Sequence, residues 1–125
     1  MITLTLPLAP SVNRLWRISG KRMYKSPEYK AWLEEAGWMV KKQTRQTVDG
    51  KYAIHIRAMR ANKRRDLDNI LKATSDLLVS LKVVEDDSQC MALAAEWAEQ
   101  STAPMIVTII PMEPNDENGN TRVLQ

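Results

Sequence analysis

Asn62-Lys63-Arg64-Arg65-Asp66-Leu67-Asp68-Asn69-Ile70-Leu71-Lys72 closes one element and opens another, and its reading decides the fold. On its N-terminal side Tyr52 to Met59 alternates, with Tyr52, Ile54, Ile56 and Ala58 on one face and Ala53, His55, Arg57 and Met59 on the other, the period of a strand. On its C-terminal side Leu67, Ile70, Leu71, Thr74, Leu77, Leu78 and Leu81 recur at helical spacing, so an amphipathic helix begins there. Strand, charged turn and helix thus follow one another within this stretch.

Working outward, Ile2, Leu4 and Leu6 alternate with Thr3 and Thr5, and Pro7 and Pro10 end that strand. A long loop is expected from Ala9 to Lys25. Ser26-Pro27-Glu28 has the form of an N-cap followed by proline at the first helical position, and Tyr29, Trp32, Leu33, Ala36 and Val40 carry the helix to about Gln46. Asp49-Gly50 marks the turn before the central strand. After the second helix, Glu85-Asp86-Asp87-Ser88 stands at the start of a third strand running from about Gln89 through Trp97, although its alanines would also permit a helix. Met105 to Ile110 forms the last strand. The domain is expected to span residues 1–111, with 112–125 a flexible tail of proline, asparagine and acidic residues.

At 125 residues the chain is long enough for one core and not for two. Its single cysteine, Cys90, excludes an internal disulfide and a cysteine-rich zinc site, and His55 is the one imidazole. No apolar run approaches the length of a membrane span and the N-terminus lacks a signal-peptide pattern, so a soluble cytoplasmic protein is expected. The net charge is +3, but the tail carries Glu113, Asp116 and Glu117 against Arg122, which concentrates positive charge in the body. Arg14, Arg17, Lys21, Arg22 and Lys25 fall in one segment and Lys63 to Arg65 in another. Either cluster alone reads equally well as ordinary surface; together, flanking acids, they point to a polyanionic partner.

The acids carry the chemistry. Were Asp66 and Asp68 both helical they would face apart by about 200°, whereas in an extended lead-in residues i and i+2 share a face. Asp66 is therefore expected in the last extended residues and Asp68 near the N-cap, where capping alone is the bland explanation. Lys72, four residues beyond Asp68, lies on the same side of the helix, and Asp76 one turn later reads as its solvated partner. The run Glu85-Asp86-Asp87 is self-repelling unless solvent screens it or a cation neutralises it. Carboxylates from both segments, with water completing the shell, describe a magnesium or manganese site held against phosphate.

These residues match a known pattern. Arg65-Asp66-Leu67-Asp68-Asn69-Ile70-Leu71-Lys72, then Asp76, then Glu85-Asp86-Asp87-Ser88-Gln89 resembles the RusA-type Holliday-junction resolvases of phages and prophages, and Pro10-Ser11-Val12-Asn13-Arg14-Leu15-Trp16-Arg17 resembles that family's opening loop. The likeness covers most of residues 1–90; Ala9 and Cys90 depart from the pattern as packing changes, and beyond Met91 it fades. It implies a single α/β domain with a small mixed four-stranded sheet packed by two main helices. It also implies a homodimeric, magnesium-dependent endonuclease (manganese being the alternative ion) that resolves four-way DNA junctions by paired cuts in recombination and repair. Asp66, Asp68 and Asp87 would be its metal-binding acids, with Asp86 a ligand or a supporting group. Lys72 would be the active-site cation and Asn13 a DNA-facing support. Arg14, Arg17 and Lys63, Arg64 and Arg65 would meet the DNA backbone, and Trp16 would stack on unpaired bases. Trp32, Trp38 and Trp97 are expected in core or dimer packing. The alternatives are a catalytically inactive junction-binding module, in which the acids only cap helices, and a nuclease for flaps or other branched DNA.

Overall fold

The computed structural model of the chain describes residues 1–10, 16–19, 22–59, 67–99 and 102–112. Among the described residues, six strands and two helices occur in the order β1 (Ile2–Leu6), β2 (Trp16–Ser19), β3 (Arg22–Lys25), α1 (Pro27–Gln43), β4 (Tyr52–Met59), α2 (Leu67–Ser80), β5 (Cys90–Ala98) and β6 (Met105–Pro111), with a 3-10 turn at Asp87–Gln89 before β5. Four strands form one mixed sheet in the order β1-β6-β4-β5, in which β4 and β5 are parallel and the other neighbours antiparallel. A parallel neighbour requires the chain to be carried back between the strands, and α2 does this between β4 and β5. The expected α/β domain, with a mixed four-stranded sheet and two helices, is the one observed.

The alternation in the sequence becomes the core. Ile2, Leu4 and Leu6 of β1, Ile54, Ile56 and Ala58 of β4, and Met105, Val107 and Ile109 of β6 are all buried, and they form one cluster with Trp32, Ala36 and Val40 of α1 and Ile70, Leu77 and Leu78 of α2. Both helices thus cover one face of the sheet. On the other face Glu96 lies 3.6 Å from His55 Nε2 and 3.8 Å from Arg57 Nε, so the single histidine belongs to a surface charge group.

The start of α1 follows its sequence signal. Ser26 Oγ accepts from the Tyr29 backbone N–H at 3.1 Å, and Pro27 takes the first helical position. Its end comes earlier than the apolar spacing predicts, at Gln43 instead of Gln46. Thr44 turns extended so that Val48 can be buried beside Val84, with Val48 N–H donating to Val83 O at 2.7 Å. Burying a valine outweighs another turn of exposed helix. The last residue of α1 also does structural work: Gln43 Oε1 accepts from Thr5 N–H at 2.8 Å and its Nε2 donates to Thr5 O at 2.7 Å. The amide thereby satisfies part of the free edge of β1, a position where a strand would otherwise present bare backbone.

One expectation is corrected. The segment expected to be loop from Ala9 to Lys25 contains an antiparallel hairpin, with Trp16 paired to Lys25 and Ser19 to Arg22. Only Gly20-Lys21 separates the two strands, and a glycine leading a two-residue connection favours hairpin closure. Trp38 is 65 % exposed on this chain, which leaves dimer packing as the open half of its expected place in core or dimer packing. Trp32 is buried, and its Nε1–H donates to Pro7 O at 2.9 Å. Trp97 packs half-buried against the core.

Candidate metal and nucleic-acid site

α2 presents one continuous stripe on the flank that it does not bury. Asp68, Leu71, Lys72, Ser75 and Asp76 recur at intervals of three and four, and all five line a cavity of about 320 Å³ whose opposite wall is Asp87, Cys90 and Leu93. The site is therefore built where the helix returning from β4 passes the start of β5. Asp68 lies within the first turn of α2, which begins at half-buried Leu67. A carboxylate there also complements the positive end of the helix dipole.

Asp87 owes its direction to the residue before it. Asp86 is the N-cap of the 3-10 turn, its Oδ2 accepting from the Ser88 hydroxyl at 2.5 Å and from the Ser88 backbone N–H at 3.3 Å. Those bonds hold the Asp86 carboxyl below the usual carboxylate range, so it stays ionised as a cap. The turn leaves Asp87 lining the cavity, where Asp86 does not appear.

Of the residues singled out in the sequence, Asp68, Lys72 and Asp87 thus share one cavity, together with Asp76. Trp16 and Arg17 lie in β2. Asn13, Arg14, Lys63, Arg64, Arg65 and Asp66 lie outside the described residues, as does the tail beyond Met112. Sequence reasoning missed Leu71, Ser75, Cys90 and Leu93 as wall residues. The first two were accessible to it, since they complete the stripe that runs through Asp68 and Lys72.

The donor chemistry of the cavity suits a hard divalent cation: three exposed carboxylates, one hydroxyl and an ammonium for a phosphate. Burial raises the Cys90 thiol above its ordinary pKa, and its Sγ–H donates to Ala92 O at 3.4 Å. Asp68 and Asp76 are two helical turns apart, about 12 Å along the axis, too far to share one ion. Among the described residues no three carboxylate, imidazole or thiol groups converge closely enough to hold a metal. The described walls therefore offer the right donors from two sides, and not a closed ligand set.

Behind Asp87 lies Tyr52, 1 % exposed. Its pKa is pushed up to about 12, chiefly by burial and further by Cys90, Asp87 and Asp86, against the lowering effect of a hydrogen bond with Ser75. The folded chain thus holds this proton more tightly than the unfolded one, in which tyrosine ionises near 10. The resulting stability is present below pH 10 and is lost as pH rises towards about 12. Tyr29, raised mainly by burial and then by Asp76, acts in the same direction. The urea midpoint is expected to fall across that interval and to fall less in Tyr52→Phe, as followed by circular dichroism at fixed ionic strength. Equal slopes in the two proteins would show that Tyr52 does not contribute.

Among the described residues, no helix is long and apolar enough to cross a membrane. The family model described as endodeoxyribonuclease RusA matches residues 6–110. A crossover junction endodeoxyribonuclease of Enterobacteria phage HK97 is 32% identical over 87 residues, covering 67% of this chain and 72% of that protein. The crossover junction endodeoxyribonuclease RusA of Aquifex aeolicus is 26% identical over 107 residues, covering 83% of this chain and 85% of its own length. The matched span includes both helices and both walls of the cavity, and the chain belongs to the RusA endodeoxyribonuclease family.

Proposed function

We propose that this protein is a homodimeric, magnesium-dependent resolvase that cuts four-way DNA junctions by paired phosphodiester hydrolysis in the cytoplasm, during recombination and repair. The observation that carries the reading is the meeting of Asp68, Lys72 and Asp87 around one cavity in a chain of this family. The names of the phage and Aquifex relatives supply the junction as substrate.

Asp66, Asp68 and Asp87 hold the ion, with Mn2+ able to replace Mg2+. When bound, such an ion polarises a phosphoryl oxygen and makes water a nucleophile near neutral pH. The protein's own groups do the rest. Asp86 acts from behind, since its carboxylate is engaged as the cap that aims Asp87. Lys72 reaches a non-bridging phosphate oxygen and offsets the charge that builds as the bond to the leaving 3′ oxygen breaks. Asn13, Arg14, Arg17 and Lys63 to Arg65 grip the backbone, and Trp16 stacks on bases exposed at the crossover. Two symmetric cuts require two sites, which a twofold dimer provides.

The test is cleavage of a labelled four-way junction in Mg2+, beside linear duplex and flap controls, with the mass in solution measured by light scattering. Symmetric paired nicks confined to the junction, from a particle of twice 14.3 kDa, are the expected result. Equal cutting of flaps would make the protein a general nuclease of branched DNA. Junction binding without cutting in either metal would leave an inactive binding module, and a persistent monomer would remove the dimer.

A further inference from the structure

A second cavity, of about 410 Å³, lies where the C-terminal ends of α1 and α2 meet, and it shares no lining residue with the metal cavity. Lys41, Arg45 and Lys82 line it beside the polar side chains of Thr44, Gln46 and Thr47, and among the described residues no carboxylate does. The three cations are exposed, and among the described residues none of them makes an ion pair. Complementing the negative ends of the two helices is the ordinary use of such cations. Each helix end is equivalent to about half a negative charge, so the two together offset about one of the three cations and leave the pocket positive.

The walls of this pocket are pinned by the backbone. Thr44 N–H donates to Val40 O at 3.0 Å where α1 ends, Gln46 N–H donates to Thr44 Oγ1 at 3.1 Å, and Val48 N–H donates to Val83 O at 2.7 Å. The segments that carry Arg45 and Lys82 are thus held side by side, and the cations need little rearrangement to meet an anion. Lys82 adds a separate signal. Val83 N–H donates to Leu78 O at 3.0 Å and Lys82 N–H to Val79 O at 3.1 Å, the pair of bonds with which helices commonly end on a left-handed residue. Lys82 is that residue, with φ 62°, in the place that glycine usually takes because it lacks a Cβ. Backbone preference argues against a side chain here, so the lysine points to a use for its ammonium.

Cations, hydroxyls and an amide without an acid suit a phosphate. Lys82 follows Lys72 by ten residues, about 15 Å at the rise of a helix. Phosphates of one strand succeed each other every ~3.4 Å of duplex axis, so that distance spans about four base pairs. We propose that the Lys41, Arg45 and Lys82 pocket is a second phosphate site, which grips the backbone of a junction arm a few base pairs from the bond cut at the metal cavity. The proposal rests on the reading of this protein as a junction nuclease.

Lys82→Gly is the decisive variant, because its two effects run in opposite directions. Relieving a left-handed lysine should leave the melting temperature unchanged or raise it, whereas loss of the cation should weaken junction binding. Fluorescence anisotropy in metal-free buffer, between about 50 and 200 mM salt, reads the slope of log affinity against log salt. Lys41→Gln, Arg45→Gln and Lys82→Gly combined should lower that slope by about 0.9–1.8, for one or two phosphates, and cost at least about tenfold in affinity at the low-salt end. Lys30→Gln removes an exposed cation from the same helix outside the pocket, and should leave the slope nearly where it is. Equal losses from Lys30→Gln and Lys82→Gly would reduce the effect to net charge and overturn the proposal, as would an unchanged slope in the folded triple variant. Loss of inorganic pyrophosphate binding, measured by calorimetry, with no change towards DNA would make the pocket a site for a free anion and overturn the arm contact. A wild-type protein that binds no junction removes the nuclease reading itself, and the arm contact with it.

Discussion

Asp87→Asn lowers single-turnover junction cleavage by about a thousandfold or more, equivalent to roughly 4 kcal/mol of transition-state stabilisation, while binding of the junction in a metal-free buffer stays within about twofold of wild type. Asn keeps the size of the side chain and loses the charge that an ion requires. Asp68→Asn behaves alike. Neither change should unfold the protein: both carboxylates are exposed, Asp87 follows Glu85 and Asp86 in a self-repelling run, and the helix-dipole interaction that asparagine at Asp68 weakens is worth about 0.3–1 kcal/mol. Asp76→Asn is the internal control. It lines the same cavity two turns from Asp68, and as an exposed carboxylate one turn from Lys72 its neutralisation should cost less than about tenfold. An Asp76→Asn defect as deep as that of Asp87→Asn would move the metal to the other end of the cavity, and full activity in Asp87→Asn would remove Asp87 from the ligands.

The elements that position this site were legible where local preference and burial agree. β4 was readable because Tyr52, Ile54, Ile56 and Ala58 alternate with half-exposed or exposed residues, and all four are buried. α2 was readable because its apolar spacing starts just where the charged turn ends. The hairpin was not legible, because the four-residue strands Trp16–Ser19 and Arg22–Lys25 are too short and too charged for their alternation to stand out as a strand period. The early end of α1 was beyond reach, since it depends on Val48 finding Val84 across the fold, a contact that no local pattern announces.

The site divides the same way. Residues of the α2 stripe follow from helical spacing, which by itself puts Asp68, Lys72 and Asp76 on one side of the helix. That Asp87, not Asp86, faces them depends on a capping hydrogen bond to Ser88, and in sequence the two acids are indistinguishable members of one run. Tyr52 was legible only as a strand residue.

Charge reversal of Lys63, Arg64 and Arg65 together is expected to leave the metal site in place and to dismantle the grip on DNA. Each phosphate contact removed lowers the slope of log affinity against log salt by about 0.9, so three contacts correspond to a fall of roughly 2.7. The affinity loss should then be large at low salt and shrink as salt rises, because the wild-type protein loses its own electrostatic advantage under those conditions. These residues immediately precede the acids of the site in the sequence, so added carboxylates there could also draw cations nonspecifically. Lys63, Arg64 and Arg65 changed to Gln serve as the comparison: neutral substitution removes the contacts without adding negative charge, and should reproduce most of the change in slope. Filter binding or fluorescence anisotropy between about 50 and 200 mM salt covers the range in which such contacts dominate affinity. The result also separates positioning from chemistry. If these cations only position the DNA, the variant should recover a near-normal cleavage rate once enough enzyme is present to saturate the junction, unlike Asp87→Asn, whose defect is made after binding. An unchanged salt slope would take this cluster out of the interface and leave the hairpin cations, Arg17, Arg22 and Lys25, as the principal contacts with the backbone.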